Sequence, residues 1–202
     1  MFVQVIEGDV TNASEVRSAF DRWVANLGPD AAGWLGTTAG VTDDGHFIAL
    51  ARFESEEAAR RNSQRPEQDK WWSEMAGFFK APATFRESSD VIPDLAGDPD
   101  SAGFVQIMRG RGTNNERARE LMTQDSDLWA EFRPDVLGSL ALIHDDGTYT
   151  MALYFTSEAE AREGEKKEPP EALKAQMAEM DSLTEGTPEF FDLKDPWLYS
   201  KR

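Results

Sequence analysis

Arg52 stands inside HFIALARF, an apolar run whose alternation puts it on the face of His46, Ile48 and Leu50, opposite Ala49, Ala51 and Phe53. A guanidinium in such a place asks for a counter-charge, either an acidic side chain or an anionic ligand, because an unpaired buried charge is costly. Asn62 and Trp72 follow in RNSQRPEQDKWWSEM. A guanidinium, a carboxamide and an indole are the groups that could hold a flat organic molecule, the ring by its area and the polar pair by fixed hydrogen bonds. Each also has a purely structural use, since Asn suits a helix end and Trp fills a core. The only histidines, His46 and His144, flank Asp-Asp-Gly turns and read as exposed hairpin ends. Too few ligands converge on them for a metal, so no metal and no cofactor is expected. Cysteine is absent, which removes thiolate nucleophiles, disulfides and sulfur-ligated metals together.

The elements that position these residues occur twice. Sliding the chain by 102 places aligns residues 2–60 with 104–162, and about 18 of the 59 pairs are identical. FVQVIEGDVTN returns as FVQIMRGRGTN, WLGTTAGVT-DDG-HFIALARFE as VLGSLALIH-DDG-TYTMALYFT. Each copy reads as a strand, a helix capped by Asn12 or Asn114, two strands joined by an Asp-Gly turn, a second helical region opened by Ser55 or Ser157, and a last strand near 83–91 or 187–193. Pro66, and Pro169-Pro170, break and restart the second helical region.

Each copy is therefore β-α-β-β-α-β, the ferredoxin-like order. The fold class expected is α+β, with two such repeats packed sheet to sheet as an intramolecular dimeric α+β barrel. The expected bounds are 1–91 for the first repeat, 92–102 for a linker and 103–202 for the second repeat with its tail.

The repeat also serves as an internal control on single residues. Trp71, Met75 and Phe78 fall over Leu173, Met177 and Met180, a core stripe in both copies. Trp72 falls on Lys174, off that stripe, which makes it a candidate for a pocket wall. Arg52 falls on Tyr154, whose hydroxyl could meet a carbonyl or phenol. Gln4 and Gln106 are the polar residues shared by the first strands, and each carboxamide must be satisfied, by pairing with the other or by donating into a cavity. Trp34 is expected in the core or in a cavity wall. Asn62 falls on Gly164, which favours a helix end.

The formal charge of -17 is spread over both halves. Such a surface repels phosphate backbones and anionic lipid, so neither nucleic acid nor membrane is an expected partner. With no leader-like N-terminus and no long apolar stretch, the expected location is the cytoplasm.

The order of elements, FESEEAARR and FTSEAEAR after the third strand, and RPEQDKWWSEM resemble the dimeric α+β barrel superfamily, in its antibiotic biosynthesis monooxygenase-like family. The resemblance implies a pocket in each half, between sheet and helices, and oxidation of aromatic or enolisable molecules without metal or flavin. It implies a small aromatic ligand as partner and a pseudo-dimer within one chain that can also form larger homo-oligomers. The haem-degrading members carry a histidine on the second helix that neither copy has. The alternative is a non-catalytic binding or interaction protein that keeps the barrel without the chemistry.

Overall fold

Strands and helices fall largely where the repeat places them. A computed structural model describes residues 1–201 other than Ala96 and Asp125, with Ser126 described by its backbone alone. The chain forms two compact units, Met1–Val91 with Asp195–Arg202, and Ile92–Lys194.

The first unit runs β1 (Phe2–Asp9), α1 (Ala13–Asn26), β2 (Trp34–Val41), β3 (His46–Phe53), α2 (Glu56–Ser63), α3 (Pro66–Ala76) and β4 (Thr84–Ser88). Asn12 Oδ1 accepts from the Ser14 and Glu15 amides to start α1, and Ser55 Oγ accepts from the Ala58 amide to start α2. Pro66 occupies the first turn of α3, where its missing N–H costs nothing. The β2–β3 turn closes through Gly45, whose φ of 89° is open to glycine at little cost.

The second unit repeats this as β5 (Asp90–Asp94), β6 (Phe104–Gly112), α4 (Asn115–Met122), α5 (Ser126–Phe132), β7 (Val136–Ile143), β8 (Thr148–Phe155), α6 (Glu158–Glu165), α7 (Glu171–Ser182) and β9 (Thr184–Leu193). The first helix of the repeat is here two shorter ones. Asn114 caps α4 and Ser157 caps α6, as their counterparts do.

Each sheet has five strands where the ferredoxin-like order supplies four. The orders are β10-β2-β3-β1-β4 and β5-β7-β8-β6-β9, antiparallel at each pairing described. The fifth strand of the first sheet is β10 (Trp197–Ser200), from the tail expected to go with the second repeat. The fifth strand of the second sheet is β5, at the edge of the stretch expected as linker. Each added strand passes a glycine on its neighbour: a Cβ on Gly36 would lie 2.4 Å from the Tyr199 carbonyl oxygen, and one on Gly138 2.5 Å from that of Asp94. These glycines let the extra strands lie flush.

In the first unit, Val16, Ala19 and Phe20 of α1 and Met75 of α3 pack on Ile6, Ala39, Phe47 and Ala49 of the sheet, with Trp197 of β10. Phe2, Trp23, Trp34, Phe53, Ala58 and Ala59 continue this layer. Burial of each such large side chain contributes roughly 1.5–3 kcal/mol. The other face of the sheet carries Val3, Val5, Ile48, Leu50 and Arg52, all buried. The stripe on α7 is shifted from its expected register: Leu173 and Gln176 are buried, whereas Met177 is 41% exposed. No helix among the described residues is long and apolar enough to cross a membrane.

Candidate functional site

The candidate residues of the first unit do not converge. Arg52 is 7% exposed on the face of its sheet away from the helices. Its Nη2 donates to Ser200 Oγ at 3.2 Å, its Nε has no hydrogen-bond partner, and no carboxylate among the described residues lies within ion-pair distance. Asn62 lies on the helix side, buried in a closed network. Its Nδ2 donates to Gln68 Oε1 at 3.4 Å, which also accepts from Trp23 Nε1 at 2.6 Å, while Arg65 Nη1 donates to Asn62 Oδ1 at 3.1 Å.

Trp34 is buried and donates from Nε1 to Thr37 Oγ1 at 3.0 Å. Trp72 sits further out, its ring 5.1 Å from that of Phe85 and 6.0 Å from that of Phe79. The helix side of this unit is thus filled by indoles whose ring N–H groups are largely spoken for, Trp71 Nε1 donating to the Ala19 carbonyl.

Gln4 and Gln106 neither pair with each other nor stand free. Gln4 Nε2 donates to Glu87 Oε1 at 2.8 Å, and Gln106 Nε2 to Asp192 Oδ1 at 2.9 Å, each acid lying directly across on the next strand. Both glutamines share the helix-side parity of Phe2 and Phe104, so a partner on the neighbouring strand is the nearest one available. Tyr154 is 1% exposed in the second sheet, at the place Arg52 holds in the first.

The histidines also depart from expectation. His144 is buried, its Nε2 2.9 Å from Thr150 Oγ1. His46 is half-buried, Nδ1 lying 3.1 Å from Asp9 Oδ1 and Nε2 3.6 Å from Glu7 Oε2. Glu7 is itself buried and has Arg86 Nε at 3.8 Å. The Glu7 carboxylate, aided by Asp9 and opposed by burial, holds the imidazole pKa above its ordinary value. No group of three or more His, Asp or Glu among the described residues could hold a metal ion.

A cleft of about 400 Å3 opens on the helix side of the second sheet, lined by Gln106 of β6, Arg162 and Glu165 of α6, and Phe190 and Asp192 of β9. Arg162 lies with its guanidinium carbon 5.2 Å from the centre of the Phe104 ring. It donates to Glu165 Oε1 at 2.9 Å and to Asp192 Oδ2, with Glu158 Oε1 at 3.6 Å. Burial works against its charge, but the Asp192 and Glu165 carboxylates outweigh burial and raise its pKa. Asp192 therefore has one oxygen held by Gln106 and the other by Arg162. Phe190 forms an apolar wall, 55% exposed.

Of the sequence candidates, Gln106 lines this cleft; Arg162, Glu165, Phe190 and Asp192 were missed. One signal was available, the identity of Arg60 and Arg162 in the repeat. The acid and the phenylalanine were hidden because three extra residues move their counterparts, Glu87 and Phe85, from an offset of 102 to one of 105. A smaller concavity of about 240 Å3 on the same unit is lined by Pro134, Asp135, Thr156, Glu160, Glu163 and Lys167. Its buried Asp135 is bound by Arg133 at 2.7 Å and leaves little to offer a ligand.

No family model matches the sequence, and no curated protein does. Solved structures match over the whole chain. A protein provisionally named a monooxygenase from Lactobacillus acidophilus is 12% identical with a TM-score of 0.72, covering 98% of each chain. Another with that provisional name, from Fusobacterium nucleatum, is 10% identical with a TM-score of 0.76, covering 99% of this chain and 94% of its own. An anthrone oxidase-like protein is 13% identical with a TM-score of 0.63, covering 98% and 93%. At such identities the likeness is one of fold, and the chain has the tandem-duplicated, monooxygenase-like α+β fold that the repeat and the resemblance led us to expect.

Proposed function

We propose that the protein binds a small aromatic or enolisable molecule in the cleft of the second unit and oxidises it without a cofactor. The observation that supports this is the convergence of Gln106, Arg162, Glu165 and Asp192 on the exposed ring of Phe190 in a space of about 400 Å3, the size of a small-molecule site. The ligand ring stacks on Phe190, and Asp192, fixed by Gln106 and Arg162, takes a proton from an activated methylene on a lone pair those donors leave free. The carbanion so formed supplies the electrons for oxygen. One oxygen atom replaces the two methylene hydrogens as a carbonyl, and the other leaves with them as water, so no external reductant is consumed.

The second reading is a binding protein without turnover. It is supported by the double hold on Asp192 and by the indole-filled first unit. Oxygen uptake with a panel of anthrones and hydroxyquinones separates the two. Uptake that falls at least tenfold in Asp192→Asn fits the oxygenase. Binding without uptake fits the second reading, and neither binding nor uptake overturns both.

A further inference from the structure

We infer that the cleft of the second unit selects an organic cation, a protonated amine carried on a flat apolar body. The inference rests on the cleft being the ligand site and concerns what kind of ligand it takes.

The cleft offers acceptors and a bare ring, with little left to donate. Arg162, its one lining cation, already faces Asp192, Glu165 and Glu158. Lys194 shares Glu158 at 3.9 Å, and Lys174 of α7 is turned to Glu168 at 2.7 Å and Glu171 at 3.7 Å. The lining residues thus carry two carboxylates against one guanidinium. The Gln106 amide nitrogen is spent on Asp192, and its carbonyl oxygen takes no donor among the described residues. An anionic ligand would meet like charge here, whereas an ammonium has three acceptor groups at hand and an aromatic face beside them.

The first unit sharpens the point. It has the same amide–carboxylate pair in Gln4 and Glu87 and an exposed phenylalanine in Phe85, but there Trp72 meets the ring edge-on. In the second unit the three-residue insertion precedes α7, so the residue in place of Trp72 is not Lys174 but Met177, itself 41% exposed, and no aromatic ring among the described residues lies against Phe190. A bare ring amid carboxylates is the arrangement that recognises ammonium groups.

Three probes of one shape separate the contributions: 1-naphthylmethylammonium, 1-naphthylmethanol and 1-naphthoate, titrated into the intact protein with the Phe190 ring and the cleft amides followed by NMR. The ammonium is expected to bind at least about tenfold tighter than the alcohol, and naphthoate most weakly. Glu165→Gln should bring the ammonium within about threefold of the alcohol and leave the alcohol unchanged, while Phe190→Ala weakens all three. Both side chains are exposed, so the variants keep their fold, checked by their unperturbed spectra. Naphthoate binding in the cleft as tightly as the ammonium overturns the cation preference and leaves the site standing. A preference that survives Glu165→Gln assigns it to the acidic surface at large and also overturns the inference. If no probe shifts the cleft, the site and the preference fall together.

Discussion

The two units share their elements and use the space under their helices differently. In the first, Trp23 stands edge-on to Trp34 at 5.0 Å, Trp71 edge-on to Phe20 at 5.4 Å, and Trp197 closes the layer from the added strand. In the second, Val136 replaces Trp34 and, past the three-residue insertion, Gln176 replaces Trp71, donating to the Leu121 carbonyl as Trp71 does to that of Ala19. By the matched glycine contacts, Asp94 replaces Tyr199, and hence Ile92 replaces Trp197. The second unit instead carries the cleft lined by Gln106, Arg162, Glu165, Phe190 and Asp192. Duplication thus leaves one copy to carry stability through its rings and the other to keep a cleft.

The largest test of this contrast is Trp34→Ala. Removing a buried, hydrogen-bonded indole should cost about 3–5 kcal/mol in urea unfolding. A loss under about 1 kcal/mol would mean that the first unit is not the tightly filled one.

Arg52 and Tyr154 should respond with opposite signs. Arg52 is a buried cation without a carboxylate partner among the described residues, so Arg52→Met should raise stability by about 1–3 kcal/mol, as a well-packed apolar chain does in place of a buried charge. Tyr154→Phe should cost up to about 1 kcal/mol. Loss of stability in Arg52→Met would show that the guanidinium has a role its one contact to Ser200 does not reveal.

His46 supplies a pH dependence confined to the first unit. Its pKa is higher folded than unfolded, because Glu7 and Asp9 favour the imidazolium. The stability it contributes is therefore fully present below about pH 6.5 and is lost as pH rises through the raised value. Unfolding of wild type and His46→Gln, compared at pH 5.5 to 9 in about half-unit steps, should diverge at the acid end and meet at the alkaline end. The reverse trend would mean that burial, not Glu7, dominates. The smallest effect on stability is expected from Phe190→Ala, within about 0.5 kcal/mol, since its ring is exposed. A larger loss would make Phe190 a packing residue and remove the cleft's apolar wall from the functional reading.

Much of the fold was legible because its determinants are local. Asn12, Ser55, Asn114 and Ser157 cap helices through their own neighbouring amides, and the Asp-Asp-Gly turns need only a backbone glycine can adopt. The added strands β5 and β10 were not legible, since four or five residues become a strand only when a sheet edge receives them. The cleft was hidden for a related reason. Gln106, Arg162 and Asp192 are brought together by strand register and by a helix crossing the sheet, and a three-residue insertion erased the match that would have paired Asp192 with Glu87. Arg52 was expected to meet an acidic side chain or an anionic ligand, and sequence cannot show that, among the described residues, it is given the Ser200 hydroxyl instead.

The borrowed edge strand has a consequence for synthesis. Trp197 and Tyr199 belong to the layer that completes the first unit, yet they leave the ribosome about a hundred residues after the rest of it. At about 5–20 residues per second, the opening half of the chain must wait roughly 5–20 s with one flank of its sheet open and part of its ring layer missing. The unit that is better filled once finished is thus the one left longest exposed while nascent, and a stall near residue 190 would strand it unfinished.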